Sequence, residues 1–252
     1  MARTVALFSL GGAPGVTLAA MALAAVWPED PGAVLVEADA SGGDIGTWRT
    51  LQTSPGLTDL AAALRHGADG GADGGYAAGP AEHAQTLPGG LPVCPAPASP
   101  DHADGAVRLL AQNTASLAAA PGPVAVLDLG RLTPRTATAH LAAHVDTALL
   151  LARDDLAQLR RVQESAAHLF ETLPGLRTVI TGGRGSTTEI AEAVGVPVWG
   201  RFPEDRGSAA FLRGEKGLRR PERRPLFRAA ASLSHALVQD AASPREHTEV
   251  AV

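Results

Sequence analysis

The chain has 252 residues, 45% of them apolar, and a formal net charge of -5. That is ample material for one large core or two small ones, and the acidic balance gives no sign of bulk nucleic-acid binding. Cys94 is the only cysteine, which excludes an intrachain disulfide, a four-cysteine zinc site and an iron–sulfur cluster held within one chain.

Short apolar runs bounded by Gly, Pro or Asp predict strands at 5–10, 33–37, 91–94, 124–128, 147–152, 177–181 and 196–202. Between them, helices are predicted at 18–26, 57–65, 105–119, 134–144, 156–173, 187–194 and 226–239. This alternation implies an α/β fold, a doubly wound, mainly parallel sheet with helices on both faces. Ligands of such sheets bind beyond the carboxyl ends of the strands. Leu10, Glu37, Asp128, Thr181 and Phe202 are therefore expected to border one crevice. A single domain is expected over 1–240, and a disordered tail over 241–252. Within the domain, 66–90 is rich in Gly, Ala and Asp and reads as a flexible loop. No apolar stretch is long enough to span a bilayer, and the first residues lack a long apolar segment with a cleavage site. A soluble, cytoplasmic protein is expected.

The first predicted strand runs into Ser9-Leu10-Gly11-Gly12-Ala13-Pro14-Gly15-Val16-Thr17, and a helix follows. In a strand–glycine loop–helix unit, backbone N–H groups and the positive helix end converge on one point, which suits a phosphate. The usual phosphate loop, G-x-x-x-x-G-K-[ST], ends in a lysine and a hydroxyl. Here Gly15 and Thr17 are present and Val16 stands in the lysine position.

This loop resembles the deviant Walker A motif of the MinD/ParA group of P-loop ATPases, K-G-G-x-x-G-K-[ST]. Gly11, Gly12, Gly15 and Thr17 match it, while Leu10 and Val16 replace both lysines. The resemblance continues in order along the chain. Asp39 matches the second aspartate of the group's D-x-D segment, which helps position the attacking water and the metal, and Glu37 replaces the first. Val124 to Asp128 resembles Walker B, continuing as Leu129-Gly130. Asp146 opens a strand like the group's next segment. The base-reading asparagine expected near Thr181 or Gly182 is absent. Gly195 to Asp205 is similar to the segment that borders the adenine, so Pro203 and Asp205 join Gly11, Gly12, Gly15 and Thr17 as implied nucleotide-binding residues. Thr17, Asp39 and Asp128 are the implied magnesium residues, and Asp39 the implied catalytic one. The implied cofactors are ATP and magnesium, bound weakly.

A phosphate-loop lysine places positive charge on the β- and γ-phosphates, and losing it costs several kcal/mol of transition-state stabilisation. Leucine at the other position cannot reach a partner subunit's nucleotide, and Pro14 removes one backbone N–H from the cradle. Lys216 is the only lysine in the chain, far along in a basic segment. The expectation is a non-hydrolysing positioning, scaffold or regulatory protein, in chromosome partition, septum placement or polar secretion and pilus assembly, as a homodimer or with a protein partner. The rival expectation is an active ATPase of this type that takes the missing charge from an arginine or a partner. A metabolic ligase or synthetase on the same fold ranks below both, because such relatives also depend on the loop lysine.

One stretch is strongly basic. Arg213, Lys216, Arg219, Arg220, Arg223, Arg224 and Arg228 precede and enter the last helix. It reads equally as a solvated loop and as a site for non-specific DNA or an acidic partner. His140 and His144 have a metal-gripping spacing but no evident third ligand. Leu226, Ala230, Leu233 and Leu237 form a helical stripe that suits packing on the sheet, and no membrane anchor is evident.

Overall fold

The computed structural model describes residues 4–12, 14–68, 79–119, 122–173 and 175–242. The strands are β1 (Thr4–Ser9), β2 (Ala33–Glu37), β3 (Gln85–Thr86), β4 (Pro92–Cys94), β5 (Val124–Arg131), β6 (Thr147–Arg153), β7 (Leu176–Thr181) and β8 (Val198–Phe202). They form one sheet in the order β3-β4-β2-β5-β1-β6-β7-β8. Only β3 runs antiparallel, against β4. The helices are α1 (Val16–Ala25), α2 (Ile45–Arg49), α3 (Leu57–Ala68), α4 (Pro100–Gln112), α5 (Thr114–Ala119), α6 (Ala137–Ala143), α7 (Leu156–Thr172), α8 (Thr187–Val194), α9 (Arg206–Leu212) and α10 (Pro225–Ala242).

The alternation of side chains along each strand builds two cores, one on each side of the sheet. Ala6, Phe8, Val34, Val36, Leu127 and Leu150 face a cluster completed by α3 to α8. Val5, Leu7, Leu35, Val126, Leu149 and Val179 face the other, completed by α1 and α10. This is why the central strands read as unbroken apolar runs. The predicted stripe on α10 packs as expected, with Leu226, Ala230, Leu233 and Leu237 all buried. Asp146 has a structural role. Its Oδ2 accepts from the Thr4 amide and hydroxyl, both at 2.9 Å, and its own amide donates to Thr4 Oγ1 at 3.0 Å. The start of β6 is thereby pinned to the start of β1.

The predicted elements recur with three departures. The single helix expected over 105–119 starts earlier, behind the helix-starting Pro100, and divides at Asn113 into α4 and α5. The short helices α2 and α9 were not predicted, because five and seven residues are too few to show a helical period. Parts of the tract expected as a flexible loop, 66–90, are regular. Helix α3 continues to Ala68, Pro80–His83 form a 3-10 turn, and Gln85–Thr86 pair as β3. Leu87 is buried, an apolar anchor that the surrounding small and polar residues masked. The centre of that tract, 69–78, and all of the expected tail beyond 242 lie outside the described residues. No helix among the described residues is long and apolar enough to cross a membrane.

Candidate functional site

The glycine loop sits where the sheet order reverses, because β1 lies between β5 and β6 while α1 returns on the other face. Such a switch point opens a crevice. Gly15 is the N-cap of α1 at φ 86°, a left-handed turn that side-chain-bearing residues rarely adopt. Gly12 is also left-handed, at φ 76°, and a Cβ there would overlap the Gln158 side chain of α7. Gln158 is itself held, accepting from the Arg153 amide at 3.0 Å. The loop is thus closed down on α7, and only glycine permits it.

Both lysine positions are filled by apolar side chains, Val16 buried in the core and Leu10 half-buried against it. Leu10 packs against the cluster beneath α7, and Val16 is 6% exposed in the cluster beneath α1. Burying a side chain of this size stabilises a fold by about 1.5–3 kcal/mol. The two positions that carry charge in the resembling motif here contribute apolar packing.

The three carboxylates at the strand ends have three different environments. Glu37 is 1% exposed and fully committed to backbone. Its Oε1 accepts from the Asp44 and Ile45 amides at 2.7 and 2.9 Å, and its Oε2 from the Ala96 amide at 2.9 Å. It caps α2 and ties down the chain after β4. Burial still pushes its pKa up. Expected at the crevice border, Glu37 is instead turned into the structure.

Asp39 is half-buried, and its Oδ1 accepts from the Ser41 amide and hydroxyl at 2.8 and 2.6 Å. Its Oδ2 lies against Gly130, where a Cβ would overlap it. Gly130 therefore lets the β2 and β5 carboxylates share one space. Asp128 is completely buried. Its Oδ1 accepts from the Gly130 amide at 3.0 Å, while its Oδ2 has no hydrogen-bond partner among the described residues. Burial pushes its pKa up to about 7, against the Thr17 hydroxyl beside it and with the Glu37 and Asp39 charges adding to the rise. An orphaned buried carboxylate oxygen next to a hydroxyl is the donor set that a hard cation such as magnesium takes, with water completing its shell. Thr17 and Asp128 fit that ion. Among the described residues no three His, Cys, Asp or Glu side chains form a metal cluster. The His140 and His144 rings lie 4.1 Å apart, tilted by 36°, and His144 Nδ1 bonds the His140 carbonyl.

A cavity of about 240 Å³ opens beside the loop. Its walls include Pro14, Gly15, Thr181, Phe202, Pro203 and Asp205, so the loop and the late Pro203–Asp205 segment meet as expected. Asp205, however, is engaged. It caps α9 by accepting from the Ser208 amide and hydroxyl at 3.1 and 2.8 Å, and it pairs with Arg224 at 2.5 Å. Burial raises its pKa, but these partners outweigh it and hold it at about 2. At the cavity's other wall Arg153 pairs with Glu204 at 2.9 Å. Where a base-reading asparagine was expected, Gly182 and Gly183 turn at φ 64° and 67° around the Glu204 and Asp154 side chains.

One cation at the loop was invisible in the sequence. Arg161 of α7 lies against Gly11, so that a Cβ there would stand 3.0 Å from its Nη1. It is exposed, and it sits one turn beyond Gln158. The Gln158–Arg161 spacing marks one helix face, but no sequence pattern says which face meets the loop. The basic segment is less free than it reads. Arg224 is bound to Asp205 and Arg213 to Glu215, at 2.5 Å in both cases, leaving Lys216, Arg219, Arg220, Arg223 and Arg228 exposed.

The topology and the glycine loop define a P-loop-type α/β protein. No family model matches the chain, and no curated protein matches its sequence. Solved structures do match its fold. A ParA family ATPase from Chlorobium tepidum TLS superposes with a TM-score of 0.70 at 19% identity, over 94% of this chain and 98% of that one. The cell division ATPase MinD from Pyrococcus furiosus gives 0.70 at 16% identity, over 95% and 99%. The septum site-determining protein MinD from Pyrococcus horikoshii OT3, complexed with Mg-ADP, gives 0.68 at 14% identity, over 96% and 98%. The chain has the MinD/ParA-type P-loop fold, as the order of its motifs implied.

Proposed function

We propose that this chain is a MinD/ParA-like positioning, scaffold or regulatory protein that does not hydrolyse ATP, serving chromosome partition, septum placement or a polar secretion or pilus machine. The observation that carries this is that both charge-bearing positions of the loop hold apolar packing side chains, Val16 buried and Leu10 half-buried against the core. Without a loop lysine on the β- and γ-phosphates, the charge that shifts during transfer loses the side-chain cation that would meet it. The solved neighbours include a MinD with Mg-ADP. Bound here, such a nucleotide would rest its phosphates by Gly12 and Gly15 and its base in the cavity bordered by Pro203. Magnesium would sit by Thr17 and Asp128 and would neutralise phosphate charge. The fit is loose, because Pro14 offers no N–H and Asp205 already has its partners.

A second reading has its own support. Arg161 lies on the loop at Gly11, so an arginine from α7 could stand in for the missing lysine of an active ATPase. Calorimetry with ATP and magnesium, paired with a turnover assay, separates the two. The favoured reading expects weak or no binding and no turnover. Robust magnesium-dependent hydrolysis that Asp39→Ala and Arg161→Ala abolish would establish the second reading in its place.

A further inference from the structure

We propose that a second site, away from the nucleotide crevice, docks an acidic peptide with one apolar anchor residue. It is a cavity of about 180 Å³ between the end of α1, the Leu87–Leu91 turn, α9 and the start of α10. Its floor is apolar, made by Met21, Leu87, Leu91, Leu212 and Phe227, all nearly inaccessible to solvent. A dry cavity of about 150 Å³ admits a benzene ring, so this one takes a Leu or Phe side chain. Arg49 forms one wall and is held there by donating to the Phe211 and Leu212 carbonyls at 2.9 and 3.4 Å. The rim carries charge. Pro221 and Glu222 belong to the wall, and the exposed Arg219, Arg220 and Arg223 flank them in the chain.

The combination selects the occupant. An apolar socket gives a phosphate backbone nothing to bind, and duplex DNA presents no apolar side chain. A peptide supplies both parts, with carboxylates for the free arginines and one apolar residue for the socket. Intrachain carboxylates already neutralise Arg213 and Arg224, which leaves Arg219, Arg220 and Arg223 as the exposed arginines next to the cavity wall in the chain. Rim charges set the encounter and its salt dependence, while the buried anchor sets the residence time.

The test is a displayed library of acidic heptapeptides with one variable apolar position, selected on the full chain. Enriched peptides are then measured by fluorescence polarisation, and duplex DNA is run in parallel. Peptides rich in Asp and Glu with one Leu or Phe are expected, bound more weakly as salt rises. Replacing Arg219, Arg220 and Arg223 by alanine is expected to weaken them roughly ten- to hundredfold. Ala25→Trp fills the mouth from an exposed position at the end of α1 and is expected to abolish binding. Glu222→Lys removes a carboxylate from the wall and is expected to tighten it. An unchanged melting curve confirms that each variant is folded. The proposal is overturned if no such peptide is enriched, if Ala25→Trp binds like the parent, if Glu222→Lys weakens binding, or if DNA binds as well as any peptide and competes with it.

Discussion

Asp128 is where residue chemistry and stability meet most directly. Its carboxyl has a folded pKa of about 7, well above an ordinary aspartate, because burial disfavours the anion. The folded state therefore holds a proton that the unfolded chain has already released. Asp128 costs no stability below about pH 4, and its cost grows as pH rises toward 7. Asp128→Asn imitates the protonated form. Urea midpoints of wild type and variant should agree near pH 4 and separate by pH 8, with the variant the more stable. Magnesium that binds at Thr17 and Asp128 should narrow the gap at pH 8 only in the wild type. Glu37 makes a different forecast. Removing it in Glu37→Ala leaves three backbone N–H groups without their acceptor, at about 1–3 kcal/mol each when buried. A fall of several kcal/mol in denaturant stability is expected, and a loss under 1 kcal/mol would show that water replaces the carboxylate (about one hydrogen bond's worth).

Helix ends govern the next scale. Asp205 starts α9, joins it to Arg224 just before α10, and has a side chain only 1% exposed. Asp205→Ala removes a cap and a charged hydrogen bond, and a loss of about 2 kcal/mol is expected from thermal or urea unfolding. Because its folded pKa lies near 2, its contribution is present above about pH 4 and is lost as pH falls through 2. The residue was legible in the sequence as part of a family-like segment; its job was not. Sequence order placed Asp205 near an adenine, whereas the geometry commits it to Ser208 and Arg224. The same holds for Glu37, which reads as a motif carboxylate and acts as a helix cap. Gly130 shows the reverse: it stood in a Walker B departure, yet its φ of 57° is what lets Asp39 approach. Gly130→Ala should destabilise by more than about 1 kcal/mol, measurable by unfolding, since the position suits neither a left-handed side chain nor an added Cβ.

At the scale of the molecule, two sites on one sheet make separable forecasts. Restoring charge in the loop with Val16→Lys should raise ATP affinity in calorimetry while lowering stability, because it replaces a buried valine by a group that resists burial. A variant that gains stability without gaining affinity would remove the reason for treating that position as a lost nucleotide contact. The peptide socket beside α10 should be indifferent to this change, since it lies beneath α9 and α10 rather than at the strand ends.

The amino-acid pattern determined the fold class, the order of the motifs along the chain, the glycine loop and the loss of its lysines. These depend on local period and on spacing along the chain, which one dimension records. Tertiary structure alone decided that Val16 is buried and Leu10 half-buried against the core, that Arg161 meets the loop, and that Arg224 is already paired with Asp205. Each of these is a contact between residues far apart in sequence or a choice of helix face. The chain fixes such contacts only after sheet closure brings α7, α9 and α10 against the strands.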